Sequence, residues 1–435
     1  MLVESVSVPC CMTDNEMVRY LFGLGRFGLR LGLENIRRLL KILGNPEERF
    51  KGIHIAGTNG KGSTGAMIES MLRCAGYRTG LYTSPHLVDF RERITVAGEW
   101  ISLQDFRQYF EFLLPAIEEF SCTFFEVMTA VAFAYFADIK VDFAVVETGL
   151  GGRLDATNIL NPVLTVITEI GLDHTQELGS TVPEIAAEKA GIIKPGVDLV
   201  CSASLSAALE VFENTCRERQ SRFFPVVREF RIENVKLTQE GTEFDLTTAQ
   251  AKYPALRLSL LGDYQIRNAT AAIKVMELLQ EQGFWIPWQA IYEGLWQTFW
   301  PGRLEIMQRD PVVVLDTAHN PDGVRHAVRA IQQIFDYEHL YFVVGILRDK
   351  NHKEMIATIA STADFVVTVT PNSSRALSAS DLAAEAKKWT NNVRAEDDIL
   401  RGFDRALKMA CSDDLICVIG SHFTVSEVVR YYKSA

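Results

Sequence analysis

The sequence predicts an α/β protein built from two doubly wound domains. Its 435 residues are more than a single hydrophobic core usually contains. Short β-rich segments alternate with helical segments from about residue 50 to residue 205, and a second alternation begins after residue 300. Such alternation is typical of parallel sheets covered by helices. Residues 223–262 interrupt the first series, because they alternate polar and apolar side chains with no helix between, and they predict a small antiparallel flap.

The order of predicted elements divides the chain near residue 300. In the first domain the predicted strands are residues 52–56, 79–82, 142–147, 163–168 and 198–201, and helices follow the flap at 265–280 and 287–296. Trp300-Pro301-Gly302 then predicts a hinge, since proline and glycine favour turns. Beyond it the predicted strands are residues 312–315, 341–345, 365–369 and 415–419. We therefore expect domains of residues 1–299 and 300–435.

Composition and charge narrow the class of protein. The net charge of −11 argues against binding to nucleic acid or to an anionic membrane, although one site can still be basic. The eight cysteines, which include Cys10 and Cys11, form no CxxC pair, and a chain of this length needs no disulfides. The first residues do not resemble a signal peptide, and the most apolar helical stretch, residues 127–139, is shorter than the roughly 20 residues of a membrane span. A soluble, cytoplasmic protein is expected.

A glycine-rich loop follows the first predicted strand. Gly57, Gly60 and Gly62 surround Lys61, Ser63 comes next, and a helix begins there. Glycines allow backbone N–H groups to curl around phosphates, the helix N-terminus adds positive potential, and the hydroxyl can reach magnesium. The spacing is tighter than in the usual P-loop. A plain glycine turn before a helix is the alternative, but strand, loop, lysine and helix together favour phosphate binding.

Two polar side chains follow neighbouring strands. Ser84 comes directly after the strand at 79–82, where it could ligate a metal ion or cap the next helix. Glu147 ends an apolar strand, where a lone carboxylate is costly unless it is paired or metal-bound. Ligands of open parallel sheets bind outside the carboxyl ends of the strands, so both residues are expected at one site.

His174 and Lys189 are the remaining candidates from the first domain. His174 follows the end of the strand at 163–168, on the presumed edge that holds Glu147, which favours a metal ligand over a structural histidine. Magnesium prefers oxygen ligands, so a histidine ligand is somewhat unusual. Lys189 lies on the apolar stripe of a short helix. Either its side chain snorkels to solvent, or it is buried with a depressed pKa.

Six motifs together resemble those of the folylpolyglutamate synthase and dihydrofolate synthase family, within the Mur ligase superfamily. They are HIAGTNGKGST (54–64), GLYTSPHL (80–87), ETGLGGRLDATN (147–158), ITEIGLDHTQELGSTVPEIAAEKAGIIK (167–194), PGRLE (301–305) and LDTAHNP (315–321). The resemblance extends from about residue 27 to residue 421. It implies a P-loop ATPase-like central domain of the Mur type with a β flap, and a Rossmann-like C-terminal domain. It also implies a monomeric, ATP-dependent ligase that adds L-glutamate to dihydropteroate or tetrahydrofolate in folate biosynthesis and one-carbon metabolism.

The resemblance also implies roles for individual residues. ATP is expected to contact Thr58, Asn59, Gly60, Lys61, Gly62, Ser63, Asn268, Arg303, Asp316 and His319. Magnesium, as two ions, is expected to be held by Ser84, Glu147, His174 and Lys189, the last as a carbamate. The pterin-side pocket is expected to include Thr123, Phe124, Phe125, Glu126, Leu154, Asp155 and Ala156. For Phe124 and Phe125, a place in the core at the start of a helix is nearly as well supported. The catalytic set is then Lys61, Glu147, His174 and Lys189.

The sequence departs from the family pattern at two places. Thr317 replaces the usual glycine of the DGAHN motif, and residues 420–427, GSHFTVSE, replace a GSLYLVGE-like ending. Both changes bear on the glutamate pocket. Three other functions stay open: another Mur-type ligase acting on a cell-wall precursor, a P-loop NTPase without ligase activity, and a non-catalytic nucleotide-binding protein. Residues 31–47, LGLENIRRLLKILGNPE, favour a bacterial bifunctional enzyme.

Overall fold

The computed structural model describes residues 12–24 and 32–434. Cys10, Cys11 and the start of the chain that argued against a signal peptide lie outside the described residues, as does residue 27, where the resemblance begins. Among the described residues, no helix is both long and apolar enough to cross a membrane.

The first domain is formed around an eight-stranded sheet of order β4-β3-β2-β5-β1-β6-β7-β8. Its strands are β1 (Lys51–Ala56), β2 (Thr79–Tyr82), β3 (Ile94–Val96), β4 (Glu99–Trp100), β5 (Phe143–Glu147), β6 (Leu164–Ile167), β7 (Leu199–Cys201) and β8 (Phe223–Pro225). Its helices up to that point are α1 (Asp14–Gly23), α2 (Glu34–Ile42), α3 (Lys61–Cys74), α4 (Leu103–Phe120), α5 (Phe124–Ile139), α6 (Thr175–Leu178), α7 (Val182–Ala190) and α8 (Ser206–Arg219). All pairs from β2 to β8 are parallel, and β3 and β4 add an antiparallel edge.

The flap and two long helices complete this domain. After α9 (Val226–Glu229), a three-stranded antiparallel sheet consists of β9 (Arg231–Thr238), β10 (Gly241–Thr247) and β11 (Lys252–Leu258). Then α10 (Asp263–Glu281) and α11 (Trp288–Gln297) pack against α3. The expected flap is therefore confirmed. The expectation that residues 223–262 contain no helix is wrong, because β8 joins the main sheet and α9 follows it.

The second domain contains a six-stranded sheet of order β12-β13-β17-β14-β15-β16. Its elements are β12 (Glu305–Arg309), β13 (Val312–Leu315), α12 (Pro321–Ile334), β14 (Leu340–Val344), α13 (His352–Ala360), β15 (Phe365–Val369), α14 (Ala379–Ala386), β16 (Val393–Glu396), α15 (Ile399–Met409), β17 (Leu415–Ile419) and α16 (His422–Ser434). All pairs are parallel except β12 with β13. The predicted fold class, two doubly wound α/β domains, is confirmed.

The strand that leads to the glycine-rich loop contains a fully buried histidine. His54 of β1 shares a 2.8 Å hydrogen bond with the Thr157 hydroxyl, while its Nδ1 atom has no partner. Burial, with a smaller contribution from the Lys194 charge, lowers the pKa of His54 to about 3. The imidazole is therefore neutral in the folded protein at neutral pH.

This histidine predicts a specific loss of stability in acid. Between pH 6.5 and about 3, His54 is protonated in the unfolded chain but not in the folded one. The unfolded state then binds more protons, so the free energy of unfolding falls as pH falls, by about 1.4 kcal/mol per unit. His54→Gln is expected to flatten that slope, measured by urea unfolding at pH 4.5, 5.5 and 7. Equal slopes in the two proteins would contradict the assignment.

Candidate active site

The glycine-rich loop joins β1 to α3 and leaves the helix N-terminus without a side-chain cap. Gly60, with φ of 89°, precedes the first helical residue, and within the described residues α3 has no side-chain cap at its N-terminus. Asn268 of α10 lies against the loop: a Cβ atom added at Gly60 would be 2.5 Å from its Oδ1 atom. Unpaired N–H groups at a helix N-terminus, together with the helix dipole, form an anion site.

Lys61, Glu147 and Ser84 come together beside this loop. The Lys61 Nζ atom lies 3.7 Å from a carboxylate oxygen of Glu147 and donates to the Thr58 carbonyl at 3.3 Å. The backbone N–H of Ser84 donates to the other Glu147 oxygen at 3.3 Å. Burial raises the pKa of Glu147, while the Lys61 charge and the Ser84 N–H act in the opposite direction. The strand order β2-β5-β1 explains the meeting, because these residues follow three adjacent parallel strands.

Lys189 is buried, so the snorkelling alternative is wrong. The residue is 4% exposed, and its Nζ atom donates to the Gly57 carbonyl at 2.8 Å. Burial, reinforced by the Lys61 charge, lowers the pKa of Lys189 to about 7. At neutral pH a substantial fraction of Lys189 therefore carries a neutral amine. This amine faces the base of the glycine-rich loop.

His174 lies in the segment between β6 and α6. It precedes α6 with φ of 50°, its side chain is 40% exposed, and its Nδ1 atom is 4.0 Å from Glu177. Burial and the Lys350 charge lower its pKa to about 4, so the ring nitrogen is available as a ligand at neutral pH. Within the described residues, no three histidine, cysteine, aspartate or glutamate side chains are grouped to hold a metal ion.

The second domain contacts the glycine-rich loop directly. Asn59 and Asn320 exchange side-chain hydrogen bonds of 2.9 and 3.3 Å. Asp173, the neighbour of His174, lies 3.5 Å from the His319 Nε2 atom and 2.5 Å from the Lys350 ammonium. These partners hold the pKa of Asp173 well below its usual range despite its burial. The predicted residue His319 is thus at the domain interface, where Asp173, Asn320 and Lys350 lie as well, although these three were not predicted as site residues.

Arg303 and Asp316 lie at the start of the second domain. Asp316 is buried after β13 and accepts hydrogen bonds from the N–H groups of Leu304 and Ala318, at 3.0 and 2.7 Å. The Arg303 guanidinium donates to the Thr317 hydroxyl, and its charge reduces the rise in pKa that burial causes at Asp316.

A cavity of about 400 Å³ separates the two domains. Its wall includes four residues of the predicted set, Gly62, Ser84, Glu147 and Arg303. Thr317 and His422 also line it. Its lining also includes His86, whose Nδ1 atom accepts a 2.9 Å hydrogen bond from the buried Arg93. Arg93 and His86 were not predicted as site residues, although both lie within ten residues of Ser84, and His422 belongs to the segment 420–427 that departs from the family pattern. The cavity wall therefore carries both cationic and acidic side chains, Arg303 and Glu147 among them.

The predicted pterin-side residues lie around the start of α5. Thr123 and Glu126 form a capping box, in which the Thr123 N–H donates to Glu126 at 2.7 Å. Phe124 stacks on Phe22, with ring centroids 5.6 Å apart, and the Arg93 guanidinium lies over the Phe124 ring, 5.0 Å from its centroid.

The remaining residues of that prediction make structural contacts. Phe125 lies 5.9 Å from the ring of Tyr82 and against Gly149. Asp155 accepts a hydrogen bond from the Leu150 N–H at 2.8 Å and caps the short helical turn that begins at Ala156, next to half-buried Leu154. Their contacts with a ligand stay predictions.

Asn268 and Ser63 are linked through Gln265. The Asn268 amide donates to the Gln265 side-chain oxygen at 2.8 Å, and the Gln265 amide donates to the Ser63 hydroxyl at 3.4 Å. This chain of hydrogen bonds fixes α10 against the start of α3. The contact of Asn268 with adenine stays a prediction.

An anion-binding loop, a lysine–carboxylate pair and a second α/β domain in contact with the loop are the features expected of an ATP-dependent ligase of the Mur type. Sequence profiles support this class: the Mur ligase middle domain matches residues 55–276, and the Mur ligase glutamate ligase domain matches residues 302–422. The chain is 37% identical over 424 residues to the dihydrofolate synthase/folylpolyglutamate synthase of Bacillus subtilis, covering 95% of this chain and 98% of that one. It belongs to the folylpolyglutamate synthase/dihydrofolate synthase family.

Solved structures agree with this membership. Folylpolyglutamate synthase from Thermotoga maritima has a TM-score of 0.84 and 37% identity, covering 97% of each chain. The Mycobacterium tuberculosis folylpolyglutamate synthase complexed with ADP and AMPPCP has a TM-score of 0.89 and 31% identity, covering 97% of this chain and 99% of that one. The chain is accordingly an ATP-dependent ligase that adds glutamate in folate metabolism.

Proposed function

We propose that this enzyme is bifunctional and adds L-glutamate both to dihydropteroate and to tetrahydrofolate or its polyglutamates. The observation that supports it most is the Lys61–Glu147 pair, because Glu147 lines a cavity whose wall also includes residues of the second domain. The relative from Bacillus subtilis, which the chain matches over nearly its full length, carries both activities in its name. We further propose a domain boundary at residues 299/300, between α11 and β12, and a cytoplasmic monomer.

The chemistry follows from the charges of the two substrates. A carboxylate is a poor electrophile, so one of its oxygens first attacks the γ-phosphorus of ATP, which releases ADP and leaves an acyl phosphate. Lys61 neutralises charge on the transferred group, and the N-terminal N–H groups of α3 hold the phosphates. The α-amine of glutamate then attacks the carbonyl carbon, loses a proton and releases phosphate. The contacts between Asn59 and Asn320 and around Asp173 close the domains and exclude water.

We propose that the nucleotide contacts Thr58, Asn59, Gly60, Lys61, Gly62, Ser63, Asn268, Arg303, Asp316 and His319. Magnesium would be held by Ser84 and Glu147, with His174 and a carbamate on Lys189 as further ligands. The hydroxyl and carboxylate oxygens suit magnesium, which also keeps waters and binds substrate phosphates. When bound, it neutralises phosphate charge during transfer. The pterin would lie near Phe124 and Phe125.

Phosphate release from ATP tests the proposal. The enzyme is supplied with Mg²⁺ and glutamate, together with dihydropteroate in one reaction and tetrahydrofolate in another. Release that needs glutamate in both reactions is the expected result. Activity with one acceptor would assign the chain to a single step. Release without glutamate would indicate an NTPase, and activity only with a UDP-linked precursor would indicate another Mur-type ligase.

The carbamate on Lys189 has a test of its own. A neutral, buried amine of pKa about 7 reacts readily with CO₂, and the resulting carbamate is an anionic oxygen ligand. Lys189→Ala is expected to lower turnover by about 10²-fold, in the range for loss of one preorganised electrostatic group. Formate or acetate at tens of millimolar should partly replace the lost carboxylate. Turnover of the variant is then expected to recover roughly tenfold. Absence of recovery in a folded variant would contradict the carbamate.

A further inference from the structure

The linker between the two domains packs onto the glycine-rich loop. Trp300, the first residue of the predicted hinge, is half-buried, packs against the core of the first domain and lines the interdomain cavity. A Cβ atom added at Gly62 would lie 2.6 Å from the Cζ2 atom and 3.0 Å from the Nε1 atom of this indole. The indole therefore fills the space that a side chain at position 62 would need.

Gly62 is the second residue of α3, so its backbone conformation is open to alanine. Its N–H is one of the first four of the helix, which have no intrahelical partner and would hold the phosphates. The indole thus lies directly against a residue of the proposed phosphate site.

The other end of the linker is fixed to the second domain. The Gly302 carbonyl accepts hydrogen bonds from the N–H and the hydroxyl of Thr317, at 2.9 and 3.0 Å. The Gly302 N–H donates to the Glu305 carboxylate at 2.8 Å. Pro301 alone separates Gly302 from Trp300, and its ring fixes φ at about −65°. A displacement of the indole is therefore passed to Gly302, because no flexible segment lies between them.

Arg303 follows Gly302 directly. Its guanidinium donates to the Thr317 hydroxyl, and its charge favours the ionised form of the buried Glu147 carboxylate. Arg303 and Glu147 both line the cavity. The contact of Trp300 with Gly62 thus determines where this cation of the second domain lies relative to the phosphate site.

We propose that Trp300 is a positioning residue for the ligation. Its indole, packed on Gly62, fixes the linker and so holds Arg303 beside the phosphates of the bound nucleotide. This inference rests on the proposed function, because the glycine-rich loop and Arg303 are its proposed nucleotide contacts.

The first test compares Trp300→Ala, which removes the packing, with Trp300→Phe, which keeps an aromatic ring. The Ala variant is expected to lower kcat about tenfold, since a misplacement of about 1 Å can cost up to about 10²-fold. Its KM for ATP should stay within about threefold, because Lys61 and the start of α3 are intact. The Phe variant should keep kcat within about threefold of the natural enzyme. Equal losses of kcat in the two variants, or a normal kcat in Trp300→Ala, would overturn the inference.

Trp296→Ala is the matched control. This tryptophan belongs to α11 of the same segment, is 40% exposed and lies 4.0 Å from the Arg257 guanidinium of the flap. It is not one of the described residues that line the cavity. Its replacement should leave kcat within about twofold of the natural value.

Gly62→Ala tests the contact from the other side. The helical backbone accepts alanine, so the added methyl group should act by displacing the indole. Gly62→Ala is expected to lower kcat about tenfold in the natural enzyme, but by less than about twofold more in the Trp300→Ala variant. Equal factors in the two backgrounds would show that Gly62 is needed for the approach of the phosphates and not for the indole, which would contradict the inference.

A spectroscopic measurement depends neither on ligase activity nor on the folding of the Ala variant. With the six tryptophans replaced by fluorinated tryptophan, the fluorine NMR resonance of Trp300 is assigned by its loss in Trp300→Phe. Saturating ADP with Mg²⁺ is expected to shift this resonance and to leave that of Trp296 in place. An unmoved Trp300 resonance would overturn the inference. A shifted resonance in an enzyme without glutamate-dependent phosphate release would instead count against the proposed function and support the contact of Trp300 with the loop.

Discussion

Replacing Lys61 with alanine is expected to lower turnover by about 10³-fold while the protein stays folded. The lysine ammonium is the cation nearest to the Glu147 carboxylate and lies at the first residue of α3, where the phosphates of ATP would be held. Phosphoryl transfer gains most of its acceleration from such fixed charges, because little covalent chemistry is left for the protein to perform. Glutamate-dependent phosphate release measures the loss, and near-normal release would remove Lys61 from the mechanism.

A second buried lysine–glutamate pair is the control for this variant. Lys274 lies 3.1 Å from Glu277 within α10, remote from the interdomain cavity, and its side chain is 4% exposed. Lys274→Ala leaves a buried carboxylate unpaired, so it should lower the free energy of unfolding by about 3 kcal/mol and leave turnover of the folded enzyme normal. Lys61→Ala should instead lower turnover and leave the free energy of unfolding nearly unchanged. Equal effects of the two substitutions on turnover would indicate general destabilisation instead of a catalytic loss.

Strand order explains why much of the site was predictable from sequence. The phosphate loop, Ser84, Glu147 and His174 all follow parallel strands, and the order β2-β5-β1-β6 makes those strands neighbours. Carboxyl ends of neighbouring parallel strands share an edge, so polar residues after apolar runs were expected to meet. Burial of Lys189 was one of two alternatives that helix periodicity left open, and only the packing of α7 decided between them.

The missed features depend on contacts that periodicity does not encode. Asp173 and Lys350 are 177 residues apart, and their ion pair exists only because two domains dock. Residues 420–427 were noted only for their departure from the family pattern, and the place of His422 on the cavity wall depends on how the two domains dock. The strands β12 and β16 are partly exposed edges of the second sheet, so they lack the apolar runs that identified β13, β15 and β17.

Glu147→Gln is expected to lower turnover by about 10³-fold and to raise the Mg²⁺ concentration needed for half-maximal activity. The substitution keeps size and removes the charge, so it tests the carboxylate alone. Stability is expected to change little, because burial disfavours the charged carboxylate while the charges of Lys61, Arg303 and Arg93 favour it. Binding of a fluorescent ATP analogue without metal should be unchanged, since the N-terminus of α3 remains. Glu147→Ala should lose turnover equally.

The matched control is Glu277→Gln, which changes a buried glutamate paired with a lysine but distant from the cavity. It should leave both turnover and the Mg²⁺ requirement of the folded enzyme as they are. If Glu147→Gln loses turnover but keeps the natural Mg²⁺ requirement, Glu147 acts by orienting Lys61 and is not a metal ligand. If Glu147→Gln keeps both the natural turnover and the natural Mg²⁺ requirement, the carboxylate at the end of β5 has no part in the reaction. The metal must then be held by other groups of the cavity wall that includes Ser84. The Mg²⁺ dependence therefore separates two roles that the 3.7 Å contact with Lys61 allows equally.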